Sequence, residues 1–129
     1  MNNILLVGAA AMLLVSLALA WAATFCRLIR FEPVASLFKD YGALVRSHID
    51  LLMMATLCLA LYATRVPLPP AACWLVVIGG FTNPALFFLR AVDPTPTPGP
   101  LRKAFRLASF LTTTIGFGWS AVSILQAAG

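Results

Sequence analysis

Four long apolar runs constrain the fold of this chain more than any other feature of its sequence. They cover residues 4–26, 47–64, 70–89 and 107–125. Each run is about 18 to 23 residues long, which is the length an α-helix needs to cross a hydrocarbon core. With 61% hydrophobic and 10% charged residues, the composition is typical of a membrane protein. We therefore predict an all-α membrane protein, a single domain over 1–129, with four transmembrane helices in an antiparallel bundle.

The basic residues indicate the orientation of these helices. They cluster in the first and third connections: Arg27, Arg30, Lys39 and Arg46, and then Arg90, Arg102, Lys103 and Arg106. By the positive-inside rule, both connections are predicted to be cytoplasmic and both termini to face outward. Because the charges lie at helix ends and not on one soluble face, the net charge of +5 indicates topology and contact with the lipid bilayer. We expect no nucleic-acid partner.

The first connection predicts a short interfacial helix between the first and second transmembrane helices. Within residues 33–45, Pro33 suits a first helical turn, and apolar side chains recur at helical spacing. These are Val34, Leu37, Phe38, Tyr41, Leu44 and Val45. Gly42 leaves a partly ordered loop as the alternative.

The last apolar run carries a face of small residues. Its members follow one another at spacings of four and three: Ser109, Thr113, Gly116, Ser120 and Ser123. Small side chains let helices approach closely in lipid, where packing drives association. This face can serve the bundle itself or a homo-oligomer.

The stretch VRSHIDLLMM, residues 45–54, contains the ionisable candidates. Ser47 and Asp50 have the spacing of a capping box, so they predict a helix that starts here, and Arg46 can pair with Asp50. His48, the single histidine, has no such role. It can hydrogen-bond a head group or a nearby carbonyl, or it can be a metal or cofactor ligand. Ala55, seven residues on, would leave flat space for a macrocycle beside the helix.

A single histidine limits what a bound haem could do. A bis-histidine electron-transfer haem within one protomer needs two such ligands, so a haem held by His48 would be five-coordinate. An open iron position suits binding or Lewis-acid chemistry.

Asn83 and Pro84 lie in the third apolar run, where a polar side chain and a missing backbone donor are both costly. Asn83 can therefore join two helices, or it can line a substrate pocket.

These residues resemble a family of small four-helix bacterial membrane proteins that includes styrene oxide isomerase and the hydroxylaminobenzene mutases. The likeness lies in Arg46, a small residue and His48 at the second helix, and in TNPALF, residues 82–87, in the third. Length, helix count and the spacing of the two motifs agree over most of the chain.

The resemblance implies an isomerase of the bacterial inner membrane. In such an enzyme, the histidine at this position is the axial ligand of haem b in an oligomer, and the iron opens an epoxide as a Lewis acid. Carried over, His48 would bind the haem iron, Ala55 would border the cofactor, and Asn83 and Asp50 would be the catalytic polar groups. The substrate would be small and apolar.

The chain departs from the family at four positions. Met54 and Ala55 replace an asparagine and a glycine after the histidine, while Gly79 and Phe87 stand where the isomerase has polar groups. The ligand is therefore kept and the substrate-handling groups are lost, so the sequence favours haem binding over epoxide isomerisation.

Two other functions remain open from the sequence. A non-catalytic membrane subunit or scaffold would use the small-residue face of the last helix. A four-helix exporter would need a carboxylate within the membrane, and Asp50 is the one candidate in an apolar run.

Overall fold

The computed structural model describes residues 2–129, and every regular element in that range is a helix. The elements are α1 (Asn3–Arg27), α2 (Glu32–Ala35), α3 (Tyr41–Ala63), α4 (Pro70–Val92) and α5 (Pro100–Ala128). The long helices α1, α3, α4 and α5 are each long and apolar enough to span a membrane. The predicted fold class is confirmed, including the short helix between the first and second spans.

Contacts at both ends show that successive long helices run antiparallel. At the start of α1, Asn2 donates to the carbonyl of Val66 at 2.7 Å and accepts from the amide of Leu68 at 3.2 Å, in the α3–α4 connection. At the opposite end, the amides of Lys39 and Asp40 both donate to the carbonyl of Ala91. This second end, the charged end, carries eight of the nine basic residues and all four acidic ones.

The start of α3 corrects the sequence-based boundary. The helix begins at Tyr41, not near Ser47, and its N-cap is Asp40, whose carboxylate accepts from the amide of Ala43 at 3.0 Å. Ser47 and Asp50 therefore lie well inside the helix and cap nothing. The local reason is that aspartate in an extended conformation satisfies a free amide of the first turn, so the helix can start before the apolar run does.

The same shift shortens the interfacial helix. Only Glu32–Ala35 is helical as a separate element, and residues 41–45 belong to α3. The repeated apolar spacing over 33–45 thus spans two helices separated by a turn.

Close packing joins α4 and α5 on the small-residue face predicted for the last helix. Ser109, Gly116 and Ser120 are buried. A Cβ atom on Gly116 would lie 2.8 Å from the amide nitrogen of Val76 and 2.9 Å from the carbonyl carbon of Leu75. The absence of that atom lets the two backbones approach. This face is used within the bundle.

Candidate functional site

His48 lies eight residues into α3 and turns its ring towards α1. The ring is half-buried, and its Nδ1 is 2.8 Å from the carbonyl oxygen of Ser16 and 2.8 Å from Ser16 Oγ. The Ser16 hydroxyl also lies 3.3 Å from the carbonyl oxygen of His48. Ser16 is fully buried. Of the two structural roles open to His48, hydrogen bonding to a nearby carbonyl is the one that the structure provides.

The partners of Nδ1 determine the tautomer of the neutral ring. A carbonyl oxygen only accepts, so a contact of 2.8 Å between it and Nδ1 requires the proton to be on Nδ1. The Ser16 hydroxyl is then free to donate to the His48 carbonyl. Nε2 is left with its lone pair and has no hydrogen-bond partner among residues 2–129.

This arrangement is the one in which a histidine can bind a metal. Ligating histidines commonly donate their second ring nitrogen to a carbonyl or carboxylate, which fixes the ring orientation and raises the basicity of the ligating nitrogen. The donor set of His48 thus fits the axial position of a haem iron. No group of three or more His, Cys, Asp or Glu side chains that could hold a bare metal ion occurs in the described part of the chain.

The space for a cofactor does not lie at Ala55. That residue has no exposed surface, because the bundle covers it. Leu52 and Leu59, which come before and after Ala55 along α3, are 39% and 38% exposed. A flat ligand of His48 would therefore have to lie along the outer surface of the bundle, over these leucines, and not over Ala55.

Ser16 was not singled out from the sequence, although a signal was present. It is the one hydroxyl in α1 between its first residue and Thr24, in an otherwise apolar run. A buried polar side chain in lipid needs a partner. Which partner it finds depends on how the helices are arranged.

Asp50 lies on the other side of α3. Residues two positions apart in an α-helix differ by about 200° of rotation, so Asp50 points away from the His48 side. Asp50 is half-buried and has no hydrogen bond or ion pair with any residue that the structure describes. The expected pairing with Arg46 is absent there too. Neither of the structural roles predicted for Asp50 is present.

Asn83 bonds to α5 through both the oxygen and the nitrogen of its amide. Its Oδ1 accepts from the Ser109 hydroxyl at 2.7 Å, and its Nδ2 donates to Thr113 Oγ1 at 3.0 Å. Thr82 joins the same cluster, 2.7 Å from Ser109 Oγ. The amide therefore holds two helices together, which is the structural alternative predicted for it.

Asp50 and Asn83 nevertheless share a surface. Both line a cleft of about 850 Å³ that opens near the charged end and is bordered by α3, α4, α5 and the proline-rich connection. Its remaining walls are Leu86, Phe87, Leu89, Arg90, Pro94, Thr95, Pro96, Pro98, Arg102 and Arg106. His48 is not among the lining residues, so the structure brings the two predicted catalytic residues together but separates them from the predicted ligand.

The departures from the family pattern have structural explanations. Met54 is buried in the core near Gly80. A side chain on Gly79 would collide with Thr113 of α5. Phe87 forms part of the apolar wall of the cleft. Met54 and Gly79, like the buried Ala55, therefore serve packing between helices.

Comparisons with known protein families, with curated proteins and with solved structures found no match. Two places in this chain remain as candidates for function. One is an imidazole with an available nitrogen, and the other is a cleft that combines arginines with a carboxylate that is unpaired within residues 2–129.

Proposed function

We propose that this protein is an integral membrane haem protein in which His48 would hold the iron of haem b through Nε2. One observation carries the proposal: His48 Nδ1 donates to the Ser16 carbonyl at 2.8 Å, which leaves the Nε2 lone pair without a partner among residues 2–129. A structural histidine in an apolar bundle gains most when both nitrogens are satisfied. The unused nitrogen therefore favours a ligand from outside the chain.

The chemistry follows from the number of ligands. The chain has no second histidine, so one protomer supplies one imidazole. When bound, haem b would supply Lewis-acid chemistry, which suits isomerisation of a small apolar substrate such as an epoxide, or a hydroxylamine mutase reaction. The chain's own contribution is the Ser16–His48 contact, which holds the ring in one orientation.

Asp50 and Asn83 do not belong to this haem site within one protomer. They lie on the opposite side of α3, and the amide of Asn83 already has partners. A homo-oligomer that covers the exposed surface beside Leu52 and Leu59 would enclose the cofactor between protomers, and a neighbouring copy would then supply the groups that handle substrate.

We further propose that the chain lies in the bacterial inner membrane with its charged end in the cytoplasm. Eight of the nine basic residues of the chain lie at that end, which supports this orientation. The first and third connections would then be cytoplasmic and the termini outward.

The test is a visible absorption spectrum of the protein purified in mild detergent. The wild type is expected to show a Soret band, or to acquire one with haemin, and His48→Ala should lose it. Free imidazole should restore the band in that variant by entering the vacated position. The matched control is Ser47→Ala, at the residue next to His48 in the chain. Ser47 donates a buried hydrogen bond of 2.9 Å to the Pro84 carbonyl. The variant loses this bond but should keep the band.

Two results would contradict the proposal. One is a wild type that gives no spectral change with haemin. The other is a Soret band that persists unchanged in His48→Ala, since the chain offers no other imidazole.

A further inference from the structure

The cleft at the charged end has a chemical character that the haem proposal does not use. Its charged lining is three arginines against one aspartate: Arg90, Arg102, Arg106 and Asp50. Its other sides are apolar, from Leu86, Phe87 and Leu89 and from prolines of the connection. A surface that is basic at one place and apolar beside it suits an amphiphile with an anionic head group.

The arginines differ in how much of their charge is already paired. Arg90 Nε is 3.4 Å from a carboxylate oxygen of Asp40, and Arg102 donates to the carboxylate of Asp93 at 3.0 Å. Arg106 has no hydrogen bond or ion pair with the part of the chain that the structure describes. The cleft therefore has one free guanidinium, and two more whose positions are set by aspartates.

Helix geometry orders these groups by depth. Ser109 bonds to Asn83 and is therefore level with it. Arg106 comes three residues before Ser109 on α5, so it lies about 4.5 Å nearer the charged end. Ser47 is level with Pro84, to whose carbonyl it donates, and Asp50 lies about 4.5 Å deeper. The guanidinium groups thus belong to the outer part of the cleft, and the carboxylate of Asp50 to its inner part.

Asp50 places a second requirement on the ligand. A carboxylate without a partner in a membrane span is costly, and in membrane proteins such groups mark functional sites. It needs a hydrogen-bond donor, such as a hydroxyl, which no described residue provides. The charged end as a whole carries eight basic against four acidic residues, and this surplus of four positive charges favours a ligand with net negative charge over a zwitterion.

From these observations we infer that the cleft binds an anionic phospholipid whose phosphodiester meets the arginines and whose head-group hydroxyl donates to Asp50. The apolar wall of α4 would contact the upper acyl chain. Phosphatidylglycerol has this combination of groups. The inference is independent of haem binding, because the cleft and His48 lie on different sides of α3.

The experiment is a lipid titration of the purified full chain, followed by native mass spectrometry. Phosphatidylglycerol should bind about tenfold more tightly than phosphatidylcholine, and Arg106→Gln should weaken it about tenfold, since a hydrogen bond to a charged group is lost. The matched control is Lys103→Gln, which removes the same charge one turn earlier on α5, outside the cleft, and should bind as the wild type does. Equal losses in both variants would overturn the site.

A second variant tests Asp50. The wild type should prefer phosphatidylglycerol to phosphatidylmethanol, which has the same charge but no head-group hydroxyl. Asp50→Leu should abolish that preference and bind phosphatidylmethanol at least as tightly as before, because a like charge is gone. A preference that survives the substitution would overturn the role of Asp50.

A soluble phosphate could in principle use the same groups, so the titration includes glycerophosphoglycerol, the water-soluble head group. If the lipid is the ligand, this compound should not displace it at equal concentration, since it lacks acyl chains for the apolar wall. Displacement at equal concentration would overturn the lipid assignment and identify a soluble phosphodiester as the ligand.

Discussion

The α4–α5 contact and the central helix α3 both place polar side chains among apolar ones, but only α4–α5 pairs all of them internally. Between α4 and α5, Asn83, Ser109, Thr113 and Thr82 bond to one another. On α3, His48 keeps one nitrogen unpaired and Asp50 has no partner among the described residues. The difference separates groups that hold the fold from groups left available to a ligand. Substitutions can test it, from the largest expected change in the free energy of unfolding to the smallest.

Gly116→Ala should cause the largest loss. The added Cβ would lie under 3 Å from backbone atoms of α4, which cannot move as a flexible side chain can. Overpacking of this kind costs about 1 to 3 kcal/mol. Unfolding in mixed detergent micelles measures it. Gly118→Ala is the control, since a Cβ there meets no atom within 4 Å, and a loss of the same size in both variants would contradict close packing as the cause.

Asn83→Leu should destabilise the bundle by about 1 kcal/mol, the range found for single interhelical hydrogen bonds in lipid. Ser109 and Thr82 still bond to each other, so the cluster is only partly lost. Thr112→Val, which removes a hydroxyl bonded to the carbonyl of Ala108 in its own helix, serves as the reference. If a Soret band is present, it should survive Asn83→Leu; its loss would place Asn83 in the haem site instead.

Ser16→Ala should cost about 0.6 kcal/mol or less. The backbone carbonyl of residue 16 remains and still accepts the hydrogen bond from Nδ1, so the tautomer should not change. Nitrogen NMR of the haem-free protein reads it directly, because the chain has one histidine. Finding the proton on Nε2, in the wild type or the variant, would refute the tautomer argument.

Asp50→Asn should leave the free energy of unfolding almost unchanged. Asp50 makes no hydrogen bond or ion pair within the described residues, so the variant removes a charge without removing a contact. The comparison is Asp40→Ala, which removes the N-cap of α3 and the ion pair with Arg90 and should destabilise by about 1 kcal/mol. A loss in Asp50→Asn as large as that in Asp40→Ala would show that Asp50 has a structural partner after all.

The sequence predicted the spans well because their signal is local. Runs 4–26 and 70–89 correspond within a few residues to α1 and α4, since lipid requires a long apolar helix and their composition meets that requirement. The start of α3 was missed because Ser47 and Asp50 have the spacing of a cap. The N-cap of α3 is Asp40 instead. The amides of Lys39 and Asp40 donate to the carbonyl of Ala91, which is distant in sequence.

The candidate site was predicted residue by residue but not as an arrangement. His48, Asp50 and Asn83 all stand out in an apolar chain, and the sequence grouped them in one catalytic site. The structure separates His48 from the other two, because residues 48 and 50 of one helix point in nearly opposite directions. Ser16 was overlooked because an isolated serine in an apolar run does not indicate which helix it will face.

The sequence by itself determined the number of apolar spans, the end that carries the charge, and the presence of a single imidazole. These depend on composition along the chain and on transfer between water and lipid, which each segment experiences alone. The tertiary structure decided which polar groups are paired. A hydrogen bond depends on the rotation and relative height of two helices, and each residue turns the helix by about 100°. The partners of Ser16, Ser47 and Asn83, and the lack of one for Asp50 among the described residues, therefore became visible only once the helices were packed.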